Sequence, residues 1–227
     1  MSANRIDAIG LELEGGWLET SRARRLVKHD GSVRGIDGNH IPGEVNSPPL
    51  PDFTACDRWL RENYPQQVNE SCGFHVHVSL KPLHYSRIMN PGYEPVFLEA
   101  MEDLYSRFRG EPAFAQFRTR LDGQNQYCQK IFRPEDQLWR REPYGERMGP
   151  GALPRYSQLN YCWGRHGTME CRLFPCFPQV QHAIEACKSF VDSINNFLAT
   201  CPPEKPITVT VEAETTTNGP RSLAAAA

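Results

Sequence analysis

Residues 74–80 read Phe-His-Val-His-Val-Ser-Leu, and their strict alternation is a strand signal. A strand sends successive side chains to opposite faces. Phe74, Val76, Val78 and Leu80 therefore share one face, and His75, His77 and Ser79 share the other. Two further segments alternate in the same way. Residues 8–14 (Ala-Ile-Gly-Leu-Glu-Leu-Glu) set Ile9, Leu11 and Leu13 against Gly10, Glu12 and Glu14. Residues 168–174 (Thr-Met-Glu-Cys-Arg-Leu-Phe) set Met169, Cys171 and Leu173 against Thr168, Glu170 and Arg172. The polar faces carry Glu-Glu, His-His-Ser and Glu-Arg. Carboxylates two residues apart on a strand lie about 7 Å apart and repel unless a cation sits beside them. Two imidazoles on one face are a frequent ligand arrangement, and hard cations such as Mg2+ take carboxylate oxygens while leaving positions for phosphate. The simplest assembly places all three polar faces on one side of one sheet, around divalent metal.

Weaker signals surround these three strands. Residues 206–212 alternate with the same period but present threonine on the polar face, residues 155–161 have strand character, and residues 26–29 and 32–35 flank Asp30-Gly31 as a hairpin would. Helical spacing runs through 54–62, 94–109 and 179–199. Glu44 falls in a Gly- and Pro-bounded stretch and reads as a loop carboxylate. Residues 122–154 carry no period but hold five cations: Lys130, Arg133, Arg140, Arg141 and Arg147. Strands dispersed among helices without a βαβ rhythm predict an α+β fold with an antiparallel sheet.

Composition narrows the function classes. The chain has 227 residues, is 39% hydrophobic and 23% charged, and carries a formal net charge of −2. That balance gives no electrostatic case for nucleic acid, and the basic run Arg22, Arg24, Arg25 and Lys28 reads as a solvated surface. No apolar run is long enough to span a bilayer, and the polar N-terminus has no secretory core, so no membrane partner is expected. The eight cysteines form no Cys-x-x-Cys pair. They read as buried or incidental thiols of a reducing, cytoplasmic compartment, and Cys72 beside the His-x-His strand is expected to be one of them. The Thr-rich stretch before the four terminal alanines is expected to be disordered.

With these motifs in place, the chain resembles a known family. S-C-G-F-H-V-H-V-S-L (71–80) is similar to the S-G-x-H-x-H-x-S strand of glutamine synthetases. G-L-E-L-E (10–14) resembles the opening E-x-E strand of that superfamily, and G-T-M-E-C-R-L-F (167–174) its closing E-x-R strand. D-G-S (30–32), G-E-V-N-S-P (43–48) and R-Y-S-Q-L-N (155–160) fill the gaps in the order seen in the amidoligases, a compact branch of the glutamine synthetase and glutamate–cysteine ligase superfamily. The ordered set of six is far more specific than any one motif.

The resemblance implies a glutamine-synthetase-like fold: a curved, mostly antiparallel sheet packed by helices, with the site on its concave face. It implies one catalytic domain over residues 1–212, with 213–227 as tail. It also implies a ligase that uses ATP to phosphorylate a substrate carboxylate, which an amine then attacks, releasing ADP and phosphate. The metal ligands for Mg2+ or Mn2+ would be Glu12, Glu14, Glu44, His75 and Glu170. His77, Ser79, Asn160 and Arg172 would contact the nucleotide, and Glu170, Arg172 and Arg155 would serve the chemistry. Asp30 and Ser32 would face the amine. The carboxylate and amine substrates could be amino acids, peptides or a protein end, and relatives often form oligomers. Glutamine synthetases have a further carboxylate near the position of Glu44, and this chain has none beside it.

Two other function classes fit parts of this pattern. One is a metal-dependent hydrolase built on His75-x-His77, which in barrel enzymes needs eight strand–helix units and further histidines. The other is a binding module that keeps the fold without the chemistry.

Overall fold

The computed structural model describes residues 5–81, 84–88, 90, 92–125, 128–130, 157–162 and 167–201. Arg155, the expected strand 206–212, the tail 213–227 and residues 131–154 of the cation-bearing segment 122–154 lie outside those residues. Five strands are described: β1 (Ile6–Leu18), β2 (His40–Asn46), β3 (Gly73–Leu80), β4 (Leu159–Cys162) and β5 (Thr168–Pro175). The helices are α1 (Phe53–Asn63), α2 (Tyr85–Ile88), α3 (Tyr93–Phe108), α4 (Pro112–Leu121) and α5 (Val180–Thr200). The strands form one open sheet in the order β2-β1-β3-β5-β4, and the four pairings between these strands are antiparallel. The expected α+β class with an antiparallel sheet is what the chain adopts.

The alternation seen in the sequence decides which face is covered. Ile9, Leu11 and Leu13 of β1, Phe74, Val76 and Val78 of β3, and Met169 and Cys171 of β5 are all buried. They form one core with the helices, among them Leu60 of α1, Phe97 and Met101 of α3, Phe117 of α4 and Phe190 of α5. Each such side chain contributes about 1.5–3 kcal/mol by leaving water, so the apolar stripes of the helices have one place to go. Asp52 caps α1 by accepting a bond from Ala55 N at 2.8 Å.

Three local expectations are corrected. Residues 26–29 and 32–35 do not pair as a hairpin. Arg22–Leu26 is a 3-10 helix, and Lys28 exchanges two backbone bonds with Glu44 of β2 at 2.8 and 2.9 Å, so the free edge of β2 takes the pairing. Asp30 then closes a local turn by accepting from Ser32 N at 2.8 Å. Glu44 is correspondingly a strand residue rather than a loop carboxylate. Finally, α4 was not expected, although Pro112 stands in its first turn and Phe114, Phe117 and Leu121 repeat at helical spacing.

β5 departs from simple alternation at one point. Val76 pairs with Cys171 and Phe74 with Phe174, so Arg172 and Leu173 together oppose the single residue His75. This β-bulge puts both Leu173 and Phe174 in the core and changes the aim of Arg172. A bulge also frees carbonyls from the ladder. Arg120 of α4, only 3% exposed, donates to Arg172 O at 3.3 Å, Phe174 O at 3.2 Å and Cys72 O at 3.4 Å. Burial lowers its pKa from the ordinary guanidinium value, but those carbonyls keep the charge solvated. Arg120→Met is expected to cost about 3 kcal/mol, because the bulge carbonyls lose a buried charged donor. Urea unfolding measures this, and a loss below about 1 kcal/mol would show that the bulge holds itself.

Candidate active site

Residues directly opposite in an antiparallel pair share a sheet face. Glu12 stands opposite His75, His77 opposite Glu170, and Asn160 opposite Glu170. Glu14 stands opposite Glu44, and Glu12 also opposite Asn46. The polar faces of all five strands therefore make one continuous surface, on the side away from the core.

Side chains on this surface converge. His75 is 2% exposed; its Nδ1 lies 2.7 Å from Glu12 Oε1 and 3.7 Å from Glu170 Oε1. His77 Nε2 lies 3.9 Å from a carboxylate oxygen of each of the same two residues. Arg172 Nη1 donates to Glu170 Oε1 at 2.7 Å, and Asn160 Nδ2 to Glu170 Oε2 at 2.9 Å. Glu14 Oε2 accepts from the backbone N of Gly73 at 2.5 Å. One ligand atom from each of Glu12, Glu14 and His75 lies within 4.8 Å of the others. Gly73 leaves the room for this, since a Cβ there would stand 2.7 Å from His75 Nε2 and 3.0 Å from Glu14 Oε2. No local pattern marks this role of Gly73, because it depends on Glu14, 59 positions away.

The other expected residues are more scattered. Glu44 lies on the same face but outside the tight group, with its Oε1 accepting from Asn46 Nδ2 at 2.9 Å. Asn46 thus occupies the neighbouring position on β2 with an amide. Ser79 sits further along β3, opposite Ala8, whose carbonyl accepts from its hydroxyl at 3.4 Å. Asp30 is held in its local turn near Glu44, and Ser32 lines a separate cavity. Cys72 is buried against Asn69 and Ser71, and burial pushes its thiol up, away from the reactive thiolate.

The charges on this face are unevenly supported. Burial opposes ionisation of Glu12, but His75, then His77 and Arg172, outweigh it and hold the carboxyl at about 2. Burial opposes charge on Glu170 too, yet Arg172, His75, His77 and the Asn160 bond keep its carboxyl below the ordinary value. Arg172 resists its own burial through Glu170, Glu12 and Glu14, and its pKa is raised.

Glu44 is the opposite case: burial and the adjacent Glu12 charge raise its carboxyl above 4.5. A raised pKa means that the fold disfavours the ionised form. That penalty is present at neutral pH and disappears below the unfolded value. Glu44→Gln is therefore expected to raise the melting temperature of the metal-free protein at about pH 7 and to leave it unchanged near pH 4. Melts in a chelating buffer test this, and equal melting at both pH values would count against it.

A sheet face that gathers carboxylates, imidazoles and a guanidinium beside a divalent-metal-sized group is the arrangement of a candidate enzyme site. Residues 16–191, more than half of the chain, match the family described as "putative amidoligase enzyme", and the chain belongs to that family. The match takes in Glu44, His75, Glu170 and Arg172 and begins just after Glu14 on β1. No curated protein and no solved structure matches the chain.

Proposed function

We propose that this protein is an ATP-dependent carboxylate–amine ligase that forms an amide or peptide bond through an acyl phosphate, releasing ADP and phosphate. The reading is carried by one observation: Glu12, Glu14, His75, Glu170 and Arg172 gather on one sheet face in a chain of the amidoligase family. In this reading the open antiparallel sheet is the glutamine-synthetase-like catalytic fold, and the gathered face is its concave side. Among the described residues, Cys56, Cys72, Cys128, Cys171, Cys176 and Cys187 are free thiols, which fits a cytoplasmic setting.

The residues present fit a hard divalent cation. Two carboxylates and one imidazole offer atoms within 4.8 Å of one another, in space that Gly73 leaves open. Glu12, Glu14 and His75 would hold Mg2+ or Mn2+, with Glu170 and Glu44 as the further carboxylates of the same face. When bound, the cation would neutralise phosphate charge. The chain's own residues do the rest. Arg172, held by Glu170 at 2.7 Å, presents a planar fork of donors suited to a transferring phosphoryl group. Its Nε is buried with no partner among the described residues, so one donor is left for a ligand. His77, Asn160 and Ser79 border the same face and would steady the nucleotide, with Arg155 as a further phosphate contact. Asp30 and Ser32 lie toward the amine side. Such chemistry needs positioning and charge stabilisation rather than a protein nucleophile.

The hydrolase reading gains no support. The sheet is open and antiparallel rather than a strand–helix barrel. His40, His84 and His182 are bonded to Asp37, Arg87 and Glu111 instead of joining His75 and His77. The test is product analysis with Mg2+-ATP and pooled amino acids and peptides. ADP and phosphate formed only when both substrates are present support the ligase, and AMP with pyrophosphate would reject it.

A further inference from the structure

Gln158 immediately precedes β4 and is only 5% exposed. Its side-chain amide is committed to α4 rather than to the gathered face: Nε2 donates to Arg120 O and to Leu121 O, both at 2.9 Å. Those carbonyls belong to the last turn of α4, where a helix runs short of internal donors. The backbone of Gln158 is held as well. Its N donates to Gln129 O at 3.2 Å, and its O accepts from Arg172 N at 3.0 Å.

The carbonyl of Arg172 leads to the same helix, since Arg172 O accepts from Arg120 Nη1 at 3.3 Å. The N–H and the C=O of Arg172 therefore both end on α4, one through Gln158 and the other directly through Arg120. Arg172 needs such holds because it lies in the β5 bulge, where the regular ladder with β3 is interrupted. Ladder bonds on both sides fix where an ordinary strand residue points, and a bulged residue lacks part of that support. At the far end of the side chain, Nη1 is bonded to Glu170 Oε1 at 2.7 Å. The guanidinium is thus set by Glu170 at its tip and by the α4 contacts at its root. A fork of donors gives directional contact only while its plane is fixed.

We propose that Gln158 is a positioning residue for Arg172: it locks the β5 bulge to the end of α4, so that the guanidinium meets a phosphoryl group with its fork already aimed. The assignment rests on the ligase reading above. Gln158 touches no reacting atom in that reading and acts only through the backbone of Arg172. A residue that merely capped α4 would contribute stability and leave the chemistry alone, so the two roles differ in what they do to turnover.

The test variant is Gln158→Leu, which keeps the size and removes both donors. Gln158→Asn keeps the amide but is one methylene short, and it carries the same comparison should the leucine variant not fold. Amide hydrogen exchange on the full chain is expected to quicken at Arg172 by about tenfold or more, while Val76 and Val78 of the central strand stay within about threefold. Turnover, with Mg2+-ATP and the substrate pair found by product analysis, should fall about tenfold with KM for ATP within about threefold, because a misaimed group loses transition-state contact rather than ground-state binding. Adding Gln158→Leu to Arg172→Lys should cost less than about twofold more, since both changes spoil one aim. Unchanged exchange at Arg172 overturns the proposal. So does a lowered melting temperature with wild-type turnover, a loss confined to KM, or a loss that multiplies with that of Arg172→Lys. The two readings fail separately. Wild-type turnover in a Gln158 variant of an active ligase sinks the positioning role alone. A wild-type chain that forms no ADP from any substrate pair sinks the ligase alone, and exchange at Arg172 still decides whether Gln158 holds it.

Discussion

Arg172→Lys is expected to lower turnover on the order of 100-fold while ATP affinity stays within about threefold. Lysine keeps the positive charge that Glu170 and Glu12 require, so the acidic face does not lose its counter-charge. It cannot reproduce the planar fork, and a single ammonium has no second donor to aim once it is paired with Glu170. The bulge that sets two residues opposite His75 fixes where the fork points, and lysine's flexible stem does not inherit that aim. Arg172→Ala should be worse, roughly 1,000-fold or more, the scale of an arginine acting on a transferring phosphoryl group. It would also leave the buried Glu170 carboxylate without its nearest cation. Steady-state kcat and KM for ATP separate the two effects. A fully active Arg172→Ala enzyme would reject the mechanism even with the fold intact.

Glu12→Gln is expected to weaken Mg2+-dependent nucleotide binding by at least about 100-fold, since it removes a direct oxygen donor rather than a supporting contact. Its effect on the metal-free protein is a separate matter. Two carboxylates on one strand face suggest that neutralising either would relieve repulsion. The structure reverses that expectation for Glu12, because His75 and its neighbours favour its charge and hold its carboxyl at about 2. A depressed pKa means stability that is present above the ordinary carboxylate value of 4.5 and lost as the pH falls towards 2. Glu12→Gln should therefore lower the metal-free melting temperature near neutral pH, the opposite of Glu44→Gln. Thermal melts with and without Mg2+-ATP test both halves. Equal nucleotide stabilisation of wild type and Glu12→Gln would count against the ligand role.

The contrast between these carboxylates separates what is written locally from what is assembled. The three polar faces are legible from local pattern alone. Alternation has period two and needs only neighbouring residues, so Glu12 with Glu14, His75 with His77, and Glu170 with Arg172 could be paired on sight. The helical stripes of α1, α3 and α5 were legible for the same reason, and the α+β class followed from their order. The ordered motifs also sufficed to point to the amidoligase family.

Which strands are neighbours, and in what register, emerges only in the folded chain. Glu12 meets His75 across 63 positions and His77 meets Thr168 across 91, and no local pattern encodes such pairings. Glu44 read as a loop because its strand partners, β1 and the Lys28 segment, lie far from it in sequence. The β5 bulge was invisible because a single inserted residue leaves the composition unchanged while shifting the face of everything beyond it. Arg120, an ordinary helix cation in sequence, becomes a buried donor only where that bulge frees carbonyls. Periodicity assigns side chains to faces, but long-range hydrogen bonding and burial decide which faces meet.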